Sequence, residues 1–142
     1  MSKLIMEIKV RIIEEQVNGM KGDAGEVLFL PFTGTVDSEI FKGEVLPGGV
    51  DVQTVDPSGM RHMCARYLLK GVDCKGEPCT IYVENQGYFE PNSNPSPFHA
   101  HPRFMTDSKE LSEYLSKDRF RAEGHPLEGG VKIQIFDAIA EE

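Results

Sequence analysis

The sequence predicts an all-β fold, a closed antiparallel β-barrel of about eight or nine strands with one short helix near residues 108–116, in one domain over 1–142. Three features predict it. Apolar residues repeat with a period of two in several runs. Turn chemistry separates these runs about every 10–12 residues. Long runs carry proline or glycine inside them, as bends and bulges of a closing sheet do.

Taken in order, Met6, Ile8, Val10 and Ile12 alternate with Glu7, Lys9 and Arg11, the pattern of a half-buried strand. Val27 to Leu30 continues through Pro31 to Val36. Pro31 lacks a donor and Gly34 lacks a side chain, which marks a bend, bulge or edge within this run. Phe41 to Leu46 ends at Pro47-Gly48-Gly49, and Val50 to Val55 ends at Asp56-Pro57-Ser58-Gly59. The latter tetrapeptide has the residues of a type I turn, so 50–55 and 61–70 should form a hairpin. A turn over 73–78 then leads to the strand 80–85, which makes a meander. Residues 90–97 are rich in Pro, Asn and Ser and form a loop. Phe98 to Met105 is a strand. Asp107-Ser108-Lys109-Glu110 resembles a capping box, and Leu111, Tyr114 and Leu115 share a helical face. A strand over 119–123, turn signals at His125-Pro126 and Gly129-Gly130, and a last strand over 131–136 complete the chain.

Composition removes several function classes. The chain carries 15 Lys+Arg against 23 Asp+Glu, a net charge of −8. That sign repels phosphate backbones and anionic membranes, so neither nucleic acid nor membrane is an expected partner. No stretch approaches the roughly 18 apolar residues of a membrane helix. Glu7 and Lys9 interrupt any secretory apolar region. Cys64, Cys74 and Cys79 lack CxxC spacing and are expected as reduced thiols in a cytoplasmic protein. Gly48-Gly49 lacks a phosphate-loop pattern around it, so it is expected to be a turn.

The central segment carries Lys42-Gly43-Glu44-Val45-Leu46-Pro47-Gly48-Gly49-Val50-Asp51, then Ala65-Arg66-Tyr67, Ile81 to Gly87 and Pro102-Arg103-Phe104. In this order the motifs resemble a family of small bacterial and fungal proteins, the domain of unknown function 3237. The resemblance implies a closed antiparallel barrel of the lipocalin-like kind and no settled activity.

Alternation sorts the candidate site residues by face. His62, Cys64, Arg66 and Leu68 share one face of 61–70, while Met63, Ala65, Tyr67 and Leu69 share the other. Asp51 and Gln53 alternate with Val50 and Val52, and Tyr82, Glu84 and Gln86 alternate with Ile81, Val83 and Asn85. The polar faces could simply be the wet outside of the barrel. The sharper expectation turns them inward, with Asp51 paired to Arg66, because an unpaired buried charge is too costly. Arg66, Arg103, Asp51, Glu84 and Tyr82 would then hold a small organic, anionic or phenolic molecule, since a guanidinium binds two oxygens at once. Glu84, Asp51 and His62 are the candidate proton carriers of a lyase, isomerase or hydratase. His99 and His101, with His62 or Glu84, could ligate zinc or iron. Two-histidine spacing is a sparse signal, so no metal or other cofactor is expected. The third function class is a packed structural or interaction protein, and an apolar outer face would make a homodimer. A connected interior cavity of a few hundred Å³ distinguishes binder and enzyme from packed protein.

Overall fold

Strand period and turn chemistry together close the sheet into a barrel. The computed structural model describes residues 2–139. The strands are β1 (Lys3–Ile12), β2 (Asn18–Gly22), β3 (Gly25–Asp37), β4 (Phe41–Val45), β5 (Val50–Val55), β6 (Arg61–Asp73), β7 (Pro78–Phe89), β8 (Phe98–Thr106), β9 (Phe120–Leu127) and β10 (Gly130–Asp137). Neighbours run β1-β10-β9-β8-β7-β6, then through β4 and β5 side by side to β3, which pairs with β1 and closes the ring. Eight positions around the barrel are thus filled, with two further strands, every pairing being antiparallel. Closure leaves few free edges, which blunts edge-to-edge aggregation. Among the described residues no helix is long and apolar enough to cross a membrane.

β3 explains why one long run needs both Pro31 and Gly34. Its first half pairs with β2 and β5, as far as Pro31 opposite Val50. Its second half pairs with β1 and β4. The change of partner falls at Pro31, where the missing N–H costs nothing. Three residues on, a Cβ at Gly34 would lie 2.5 Å from the Lys9 carbonyl oxygen, so only glycine lets β1 approach. The expected bend is a switch of sheet partners.

The turns follow their chemistry. The Gly59 N–H donates to the Asp56 carbonyl at 2.9 Å, and the Asp56 carboxylate accepts from the Ser58 and Met60 amides. Ile8, Leu69, Ile81, Val83 and Ile135 point into the barrel with no more than a trace of exposed surface. Each apolar side chain of that size contributes about 1.5–3 kcal/mol on burial. The helical segment is shorter than expected: α1 covers Ser112–Leu115. It begins where Ser108 accepts from the Leu111 N–H through Oγ and from the Ser112 N–H through its carbonyl. Ser108 Oγ also donates to Asp73, which ties the start of this segment to the end of β6.

Two expectations change. β2 was not legible, because all its residues are exposed and no apolar period marks it. His125-Pro126 lies inside β9, with Pro126 opposite Val131, and the turn moves to Glu128-Gly129 ahead of β10.

Candidate functional site

Strand register decides which side chains enter the barrel. Asp51 stands opposite Ala65, Ala65 opposite Asn85, and Asn85 opposite Pro102. This row faces inward. The adjacent row, Val50, Arg66, Glu84 and Arg103, faces outward. Asp51 and Arg66 therefore lie on opposite faces and do not pair. The expected inward cluster of Arg66, Arg103, Glu84 and Tyr82 is corrected to an outer-face cluster. Energetics favour this. Two guanidiniums against one carboxylate would leave a net buried charge, whereas outside they stay hydrated.

On the outer face, Glu84 gathers four donors. Arg66 Nε lies 3.3 Å from it, Arg103 Nε 3.1 Å, Tyr82 Oη 2.8 Å and Gln86 Nε2 3.5 Å. Its side chain keeps 13% of its surface, against 64% for Arg66 and 72% for Arg103. The Tyr82 hydrogen bond leads, with both arginines, in holding the Glu84 carboxyl below its usual range against the opposing effect of desolvation. His62 contacts Gln86 at 3.1 Å and stacks on Tyr88 at 4.4 Å. It too belongs to the outer face. His99 and His101 are exposed on the outer face of β8. Among the described residues no three His, Cys, Asp or Glu side chains converge as a metal-ligand set. Cys64, Cys74 and Cys79 are free thiols.

The interior holds what the polar face does not. A cavity of about 50 Å³ lies between Asp51, Ala65, Tyr67 and Asn85, with Phe32, Met63 and Phe98 among its apolar walls. Ala65 makes the room, because its methyl separates two longer polar residues in the same row. Asp51 Oδ2 accepts from Gln53 Nε2 at 2.9 Å. Asp51 Oδ1 and Asn85 Oδ1 are buried with no donor in reach among the described residues, and Asn85 is only 2% exposed. A buried acceptor left unmatched costs about 1–3 kcal/mol. Burial pushes the Asp51 carboxyl up, offset in part by the Gln53 hydrogen bond and the charges of Arg61 and His62. Burial likewise pushes the Tyr67 phenol up. Asn85 and Tyr67 were missed as site residues because their strand positions looked like core. Their polarity on an otherwise apolar face was the available signal.

The other end of the barrel carries a larger open groove of about 690 Å³ beside Asp137, Tyr114 and Arg119. These three polar groups are matched to one another. Asp137 accepts from Arg119 Nε at 2.9 Å, from Tyr114 Oη at 2.5 Å and from the Ile139 N–H at 3.1 Å. Burial opposes ionisation of Asp137, yet these donors hold its carboxyl below the usual range. That is a structural ion pair at this end of the barrel, and both Asp137 oxygens have donors.

The fold and the cavity define a closed antiparallel β-barrel with a small, mainly apolar pocket that two polar acceptors face. The chain belongs to the family of proteins of unknown function DUF3237, whose model matches residues 2–138. It is 32% identical over 84 residues to a UPF0311 protein of Clostridium acetobutylicum, covering 58% of this chain and 51% of that one. The chain thus matches about half the length of that curated relative. A crystal structure of a protein with unknown function from C. acetobutylicum ATCC 824 superposes with a TM-score of 0.77 at 25% identity, over 96% of this chain and 97% of that one. A conserved protein of unknown function from Rhodopseudomonas palustris gives 0.75 at 25%, over 96% and 95%. A beta-barrel like protein from Acinetobacter baumannii gives 0.72 at 21%, over 96% and 95%, a likeness of fold.

Proposed function

We propose that this barrel binds a small organic molecule at the Asp51–Asn85 cavity. The observation that carries the reading is the pair of buried, unmatched acceptors facing one apolar pocket. A guest with an O–H or N–H head would supply the missing donors while its body covers Phe32, Met63 and Phe98. The interior anchor is an acceptor set, so a phenol, alcohol or amine suits it better than an anion. Of the proton-carrying candidates Asp51, Glu84 and His62, only Asp51 lines this cavity. Any proton transfer within the barrel would therefore fall to Asp51.

The experiment is a thermal-shift screen of small phenols, alcohols and amines against the wild type, Asp51→Asn and Ala65→Val. Ala65→Val fills the space without removing a polar group. The expected result is a concentration-dependent rise in wild-type Tm that Ala65→Val abolishes and Asp51→Asn reduces. An equal rise in all three proteins refutes interior binding. A second reading, a packed interaction protein, draws on the small size of the cavity, well below the few hundred Å³ of ordinary ligand pockets. It predicts no rise with any compound.

A further inference from the structure

Just outside the cavity lies a second recess of about 200 Å³, lined by Gln53, Arg61, Met63, Phe89, Asn94 and Phe98. Met63 and Phe98 line both spaces and form the wall between them. Their two side chains therefore stand between the inner acceptors and the barrel mouth. Phe98 lies edge-on to Phe89, with centroids 6.0 Å apart, and rests over Gly124.

Arg61 stands out among the arginines of an acidic chain. Arg66 and Arg103 share Glu84, Arg119 pairs with Asp137, and Arg121 pairs with Glu123. Arg11 is exposed on β1. Arg61 is half-buried, faces the recess and has no carboxylate partner among the described residues. Its guanidinium is held over the Phe89 ring, 4.7 Å from the centroid. Beside it, Gln53 spends one amide N–H on Asp51 and has a second to give. A partly desolvated guanidinium with a free fork is a receptor for a planar oxyanion.

We propose that Arg61 and Gln53 form a carboxylate-accepting subsite at the barrel mouth, so that the bound molecule is bifunctional: a hydrogen-bond donor at its inner end, an apolar middle and a carboxylate at its outer end. This rests on the interior-binding reading and extends it. Arg61 and Ala65 share the inward face of β6 four residues apart, about 13 Å along the strand. The guanidinium can fold back over part of that distance, which suits an aryl-alkanoic acid. The middle of such a molecule would displace Met63 and Phe98 and join the two spaces.

The test uses 3-(4-hydroxyphenyl)propionate and its neutral amide in NMR titrations of the full chain, following backbone amides and the Asn85 side-chain amide. The acid is expected to bind the wild type about tenfold or more tightly than the amide, the size of one charge-assisted contact. Arg61→Gln is expected to erase that preference, while both compounds still shift the Asn85 signal. Equal wild-type affinities, or a preference that survives Arg61→Gln, overturns the mouth subsite and leaves interior binding standing. Shifts confined to residues around Arg66 and Arg103 move the anion to the outer face and overturn the subsite as well. If neither compound shifts Asn85, the interior reading fails and the subsite with it.

Discussion

Asp51 is the residue on which most of the chemistry turns. Its carboxyl sits in the barrel with one oxygen held by Gln53 and the other without a donor. Burial raises its affinity for a proton above the ordinary value of 3.8. A carboxyl with a raised folded-state value destabilises the fold once ionised. Stability is greatest below the unfolded value and declines as pH rises through the folded one. Asp51→Asn is therefore expected to raise Tm by a few degrees at pH 7. The gain should shrink to nothing as pH falls below 3.8, where both proteins carry a neutral side chain. Thermal melts from pH 3 to pH 7 check this, and a gain independent of pH contradicts a buried, ionisable Asp51. Asp137 has the opposite sign. Its matched donors stabilise the fold above its ordinary value of 3.8, and that contribution is lost as pH falls through the lowered one.

At the scale of elements, legibility followed local periodicity. β1, β5, β6, β7 and β10 could be read because one face is apolar and the other polar over several residues. The Asp56–Gly59 turn could be read because each position demands its residue type. β2 could not, since its strand identity comes from pairing with β3 and not from its own pattern. The inward row could not be assigned either. Alternation groups residues within a strand, but matching Asp51 to Ala65 instead of Arg66 needs the register between strands. Matching faces across strands by polarity places Asp51 with Arg66, and the structure departs from that because Asp51 and Asn85 are polar residues on the apolar side. β8 and β9 meet at a contact of the same kind. A Cβ on Gly124 would lie 2.0 Å from the Phe98 ring, so Gly124→Ala must displace that ring. The variant is expected to cost about 1–3 kcal/mol of stability and to open the wall between cavity and mouth. Denaturant titration, together with a larger shift for a small phenol than in the wild type, checks both parts.

For the whole molecule, the barrel is the established feature and its contents are the question. The resemblance found in the sequence and the family match over residues 2–138 agree, and both point to proteins of unknown function. The expectation of a homodimer rested on an apolar outer face made by Ala65, Tyr67 and Leu69. These side chains fill the barrel instead, so that basis for association is gone. What remains is a closed sheet whose outer arginines Arg66 and Arg103 are matched by Glu84 and whose interior has two acceptors without donors among the described residues. The most direct measurement is native mass spectrometry of freshly purified protein beside its Ala65→Val variant. The account predicts a small-molecule mass increment on the wild type that is absent from the variant. A bare chain mass for both, or the same increment on both, contradicts a ligand held between Asp51 and Asn85.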